Sequence, residues 1–186
     1  MKSDLPRLVL DANVLYGADL RSFLLYLAEV GLYEPVWSEL IQEEWLRNLL
    51  KNRPDLSASR LRRTIQVMDG AFPGAKRDGY QFLVPELTLP DGDDRHVLAL
   101  AIHHKADAIV TFNQQDFPKD LLDPYRVAVY TPDKLLKLLH ESNAGLVQTA
   151  FQRQIAGSTR PPLSADGLID RLVKSGLRAA PKYLGE

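Results

Sequence analysis

The chain of 186 residues contains no cysteine. Disulfides, thiolate metal sites and cysteine nucleophiles are excluded together, and the composition suits a reducing compartment. No apolar run is long enough to span a bilayer. The N-terminus, MKSDLPRLVLDAN, lacks the apolar stretch of a signal peptide, because its short run stops at Asp11. Repeats and low-complexity tracts are also missing. So is a net charge of either sign: 23 Lys and Arg face 24 Asp and Glu, a formal charge of -1. These absences lead us to expect a cytoplasmic protein with no membrane partner. What is present is globular, with 45% hydrophobic and 25% charged residues. The length suits one domain with a short appendage, able to bury a full core.

Strand and helix signals alternate over residues 8–140. Leu8-Val9-Leu10 reads as a short buried strand ending at an acid. Residues 20–30 read as a helix, and Pro35-Val36-Trp37 as a second strand. Ser38 is a good cap for a helix reaching about Lys51, and Ser57 opens another to Gly70. Pro73, Gly74 and Gly79 mark a loop or broken helix. Residues 86–89 are a candidate strand, and Asp91 caps a helix running to Lys105. Residues 108–112 and 127–130 complete the strands. Thr131-Pro132-Asp133 opens a further helix, with Thr as cap and Pro in the first turn. This order predicts an α/β fold with a central parallel sheet flanked by helices. Ligands of such sheets sit beyond the carboxyl ends of the strands.

The tail differs in charge. Residues 127–186 hold 8 basic and 5 acidic residues, whereas residues 1–126 hold 15 and 19. Residues 144–156 and 164–177 read as short helices joined by Gly-Ser-Thr-Arg-Pro-Pro. We therefore expect two units, 1–143 and a helical C-terminal extension over 144–186. Leu168, Ile169, Leu172 and Val173 form an apolar stripe too short to stand alone. It must dock on the first unit, a second copy of the chain or another protein.

Four acids invite attention. Asp11 closes a buried strand, where a charge is expensive unless paired, although Asp also ends strands as a plain turn residue. Asn13 follows it with a neutral oxygen. Glu43 and Glu44 separate on a helical wheel. With Leu40 at zero and roughly 100° per residue, Leu40, Ile41, Trp45 and Leu49 span an arc centred near about 90°. Glu44 falls near about 40°, inside that arc, and Glu43 near about 300°, outside it. Asp94 heads a buried stripe of Val97, Leu98, Ala101 and Ile102, whereas Asp91 and Asp93 fit capping and first-turn roles.

Beyond the strand that ends near Thr111, Asn113 and Asp116 occupy the following loop, where either could equally be a turn former. His96 and His103 fall opposite the apolar stripe, so both are expected in solvent without a role, and Trp45 is expected in the core. Basic residues crowd 47–63: Arg47, Lys51, Arg53, Arg60, Arg62 and Arg63, against Asp55 alone. They form either an ordinary solvated helical pair or a phosphate-facing rim beside Glu44.

Acids from separate segments gathered in one pocket would repel one another strongly. No lysine is expected among them to supply a positive charge, so a shared proton or a divalent cation must offset that repulsion. Oxygen ligands without His or Cys favour Mg²⁺ or Mn²⁺, the ions suited to phosphoryl chemistry.

These residues resemble the PIN domain, the nuclease fold of VapC-type toxins. The resemblance lies in residues 8–15 (LVLDANVL), in Ser38 with Glu44, in residues 91–101 (DGDDRHVLALA), and in residues 109–113 (IVTFN) with residues 116–118 (DFP). It spans about residues 7–140. It implies a Mg²⁺- or Mn²⁺-dependent endoribonuclease cutting RNA by metal-activated water, the toxin of a type II toxin–antitoxin pair. By the same resemblance Asp11, Glu44, Asp94 and Asp116 are the catalytic and metal-binding acids. Asn13, Ser38, Thr111 and Asn113 are supporting polar residues. Many members carry Asp where this chain has Asn113, which bears on a second metal ion and not on the first. The partners implied are RNA and a cognate antitoxin, with a homodimer left open.

Two other readings compete. A haloacid-dehalogenase-type phosphatase also places Asp after the first strand and Thr after a later one. Here, however, Asn13 replaces its second Asp, and the acidic run precedes Thr111. A non-catalytic RNA-binding module on the same scaffold would lack the acids.

Overall fold

The structure is a computed structural model, and it describes residues 5–185. Four parallel strands form one sheet: β1 (Arg7–Leu10), β2 (Glu34–Val36), β3 (Ala108–Val110) and β4 (Ala128–Tyr130), in the order β2-β1-β3-β4. Val9 lies opposite Val36 on one side and Ile109 on the other, and Ile109 lies opposite Val129. The inner strands are apolar from Leu8 to Leu10 and over all of β3, because helices cover both faces of a parallel sheet. Val9, Leu10 and all of β3 are fully buried, while the edge strand β4 is half-buried. The chain adds β2 on one side of β1 and β3 on the other. The reversal falls between β1 and β3, and in such sheets a ligand crevice opens beyond the strand ends at that point.

Short polar residues start the helices as the sequence predicts. Ser38 accepts from Ile41 N to cap α3 (Glu39–Asn52), and Ser57 accepts from Arg60 N to cap α4 (Ala58–Ala71). Between β1 and β2, the single turn α1 (Ala12–Leu15) and the longer α2 (Ala18–Glu29) follow Asp11 directly. Asp91 accepts from Asp93 N and opens a 3₁₀ turn, Gly92–Asp94, that leads into α5 (Arg95–His103). Thr131 caps α7 (Pro132–Gly157) through Lys134 N. Between β3 and β4 lies the single turn α6 (Lys119–Leu122).

Three expectations need correction. Residues 86–89 form no strand. They sit between Pro85 and Pro90, which lack amide donors for a ladder, and Leu87 and Leu89 are buried as plain core anchors. The third strand stops at Val110, two residues short of the expected end. Leu40, expected in the apolar arc of α3, is 46% exposed.

The C-terminal segment packs against α2 of the same chain. In α7 the backbone leaves helical geometry at Asn143 (φ -157°, ψ 83°), and the Asn143 side chain accepts from Leu146 N, capping a second helical half. That half packs Val147, Ala150 and Phe151 toward α2. Then α8 (Ala165–Lys174) buries Leu168, Ile169 and Leu172, and α9 (Ala180–Leu184) closes the end. Polar ties join the two parts: Gln154 donates to the Asp19 carbonyl at 3.1 Å, and Arg153 pairs with Glu29 at 3.5 Å. No helix among the described residues is long and apolar enough to cross a membrane.

Candidate active site

The reversal between β1 and β3 carries a polar bracket. Asp11, just past β1, is 4% exposed. Its carboxylate accepts from its neighbour Ala12 N at 2.7 Å, from Thr111 Oγ1 at 2.8 Å and from Asn13 Nδ2 at 3.0 Å. Asn13 also donates to Thr111 Oγ1 at 2.9 Å and accepts from Phe112 N at 3.0 Å. Thr111 Oγ1 further accepts from Asn113 N at 3.1 Å. One hydroxyl thus gives one hydrogen bond and takes two, its full capacity. Burial pushes the Asp11 carboxyl above its usual range. The hydrogen bonds from Thr111 and Ala12 pull it back, and the Glu44 carboxylate adds to the rise.

A cleft of about 510 Å³ opens over this bracket. Asp11 and Asn13 line it from the end of β1, Glu44 from α3, Asp94 from the head of α5, and Asn113 from the loop after β3. Asp94 occupies the cap position of α5, yet its side chain caps nothing, so the carboxylate is not spent on the helix. Its pKa is pushed up to about 7, first by partial burial and then by repulsion from Asp11, Asp91, Asp116 and Glu44. Asp116 stands within electrostatic reach of Asp94 but does not line the cleft. Ser38 lies fully buried at the start of α3, where its hydroxyl serves the helix and not the cleft.

The two glutamates part company, though not for the reason the helical wheel suggests. The residues of α3 that are buried are Ile41, Gln42, Trp45 and Leu46. On the same wheel their centre lies near about 170°, and both glutamates stand about 130° from it, on opposite sides. Neighbours separate them. Glu43 turns to α4 and pairs with Arg62 at 2.9 Å, whereas Glu44 turns to the cleft.

There Glu44 Oε2 meets His96 Nε2 at 3.4 Å. This overturns the expectation that His96 faces solvent: it is 8% exposed, and its Nδ1 is buried with no partner among the described residues. The helix α5 is buried nearly all round, so the face opposite its apolar stripe meets protein and not water. His103 is exposed, and Trp45 is in the core beneath the Arg21 guanidinium at 4.5 Å, both as expected.

The basic segment divides. Lys51 alone lines the acidic cleft, so a lysine does lie among the acids once the chain is folded. Arg53 is held by Asp55 and Arg62 by Glu43, both on the surface. Arg60 and Arg63 line a separate groove between α2 and α4, and Arg47 is exposed. The spacing of α3 could have revealed further cleft residues: Asn48, Lys51 and Asn52 follow Glu44 at i+4, i+7 and i+8. Tyr16, at the end of α1, had no signal in the sequence.

Beside the Lys51 ammonium, the cleft is lined by carboxylate and amide oxygens, several of them anionic, the set that Mg²⁺ and Mn²⁺ take. Among the described residues no three His, Asp or Glu side chains stand drawn together as a ligand cage. The acids share an open cradle, and the repulsion that lifts Asp94 is what a bound cation would relieve. The residues present therefore fit a divalent cation.

Residues 7–115 match the PIN domain family, and residues 132–186 match the VapC50 C-terminal domain. A protein of Mycobacterium tuberculosis strain H37Rv named "Putative ribonuclease VapC50" is 36% identical over 83 residues. That stretch is 42% of this chain and 47% of the relative, so the match spans about half the length of that protein. No solved structure matches the chain.

Proposed function

The chain belongs to the PIN domain family, and on that premise we propose that it is a metal-dependent endoribonuclease, the toxin of a type II toxin–antitoxin pair acting in the cytoplasm. Family membership sets aside the phosphatase reading. The observation that carries the proposal is the convergence of Asp11, Glu44 and Asp94, from three separate elements, on one cleft. The name of the mycobacterial relative supports the choice of RNA. A cognate antitoxin is the proposed protein partner, with residues 1–143 as the nuclease unit and 144–186 as an extension.

In this reading Asp11, Glu44 and Asp94 would hold Mg²⁺ or Mn²⁺, with Asp116 adding negative charge within electrostatic reach of Asp94. When bound there, such an ion would supply an activated water and stabilise charge on the scissile phosphate. The chain's own residues prepare the site. Thr111 and Asn13 fix the Asp11 carboxylate in one orientation, so that little ordering remains when ligands arrive. His96 Nε2 stands 3.4 Å from one oxygen of Glu44. Lys51 is the cleft's own cation and is placed to draw in a phosphate.

The test is incubation of the purified chain with labelled RNA and Mg²⁺ or Mn²⁺. Internal cleavage that Asp94→Asn abolishes and EDTA suppresses is the expected result. Intact RNA under every metal condition overturns the reading, as does cleavage that Asp94→Asn leaves untouched.

A further inference from the structure

The acids occupy only one end of the cleft. Along α3, Glu44, Asn48, Lys51 and Asn52 form a stripe about 12 Å long, leading away from the carboxylates. Across from it stands Tyr16, whose hydroxyl accepts from Asn52 Nδ2 at 3.0 Å. Tyr16 is half-buried, while Asn48, Lys51 and Asn52 are exposed. The Asn48 amide and the Asn52 side-chain carbonyl make no hydrogen bond to other described residues, and Lys51 makes no ion pair with them. The wall therefore offers an aromatic ring, two amide groups with unused capacity and an unpaired cation. The whole cleft, about 510 Å³, lies within the usual range of small-ligand sites, about 300–1,000 Å³.

We propose that Tyr16, Asn48, Lys51 and Asn52 form a nucleotide-recognition subsite, which seats the nucleotide flanking the bond cut at the acids. The proposal deepens the nuclease reading and rests on it. An amide presents a donor beside an acceptor, the pattern on the edge of a nucleobase. Tyr16 supplies a stacking surface, which every base accepts, so the asparagines and not the ring choose among bases. Lys51 takes a phosphate and has no sequence preference.

The experiment uses the full chain carrying Asp94→Asn, without Mg²⁺, and measures fluorescence anisotropy with four labelled homopolymeric RNA oligonucleotides. The parent is expected to bind the four with unequal affinity. Asn48→Ala with Asn52→Ala should erase that inequality by weakening the preferred oligonucleotide about tenfold. Lys51→Ala should weaken all four alike and flatten the salt dependence. Tyr16→Leu should lose about tenfold on every oligonucleotide, with Tyr16→Phe close to the parent. The asparagines and Lys51 are exposed, so their variants should fold, and circular dichroism checks this. Unchanged affinities and base preference in the double variant overturn the subsite, as does undetectable binding by the parent. Cleavage maps with an otherwise unaltered chain separate the two ideas. Cleavage at sites unmoved by Asn48→Ala and Asn52→Ala leaves the nuclease and removes the subsite. Base-selective binding without cleavage does the reverse.

Discussion

Thr111 donates its hydroxyl to Asp11 Oδ2 at 2.8 Å, tying the residue after β3 to the residue after β1. Both are buried, at 0% and 4% exposure. This hydrogen bond opposes the rise that burial imposes on the Asp11 carboxyl and so favours its charged form.

Thr111→Val keeps the shape and removes the hydroxyl. It should weaken Mg²⁺ binding by roughly 10- to 100-fold, as loss of a partner behind a ligand commonly does. It should also move the acidic limb of the activity profile to higher pH. Titration calorimetry and a pH–rate profile measure both, and equal metal affinity in Thr111→Val would remove the role assigned to this bond.

Asp94 predicts an unusual pH dependence of stability. Its pKa is raised from 3.8 to about 7 in the folded chain, so between those values the folded state binds the proton more tightly than the unfolded state. The favourable contribution is present at low pH and is lost as pH rises from about 4 to about 7. Asp11 shifts in the same direction. Because Asp94 is only half-buried, solvent screening holds its share to about 1–2 kcal/mol. Metal-free Asp94→Asn should therefore gain Tm relative to the parent at about pH 8 and not at about pH 4. Mg²⁺ should raise the parent's Tm near neutrality and lose most of that effect in Asp94→Asn. Thermal scans of both proteins decide the matter, and parallel curves would refute the coupling.

Glu44 and Glu43 are adjacent in sequence and should differ in function. Glu44→Gln should reduce RNA cleavage on the order of a hundredfold or more. Glu43→Gln removes only a surface pair with Arg62, worth about 0–1 kcal/mol, and should leave cleavage nearly unchanged. Initial rates on one RNA substrate distinguish them. Similar losses in both variants would mean that the cleft does not decide which glutamate acts.

Leu172 is fully buried in α8, within the tail that covers α2. Leu172→Ala should cost about 2–5 kcal/mol by leaving a cavity, a fall in Tm of roughly 5–15 °C. The gain in Tm from Mg²⁺ should persist on top of this lower Tm, because no proposed ligand lies in the tail. A variant that stays folded but no longer responds to Mg²⁺ would place the tail within the site.

Sequence alone determined the alternation of strands and helices, the capping of α3, α4 and α7, and the candidate acids Asp11 and Asp94. These follow from local causes. A run of apolar residues ended by an acid, or a serine before a periodic segment, carries its meaning within a few positions. The tertiary structure alone decided which groups meet. The helical pattern alone puts His96 in solvent, because a single-helix pattern cannot show that α5 is enclosed on nearly every side. Lys51 was grouped with five other basic residues, and only the packing of α3 against α1 separates it from them and sets it beside the acids. The wheel chose Glu44 over Glu43 through an arc that included the exposed Leu40. What separates the two glutamates is that α4 lies on one side of α3 and the cleft on the other. A side chain's direction is set locally, but its neighbour comes from another segment, and that pairing is fixed only when the sheet order brings the ends of β1 and β3 together.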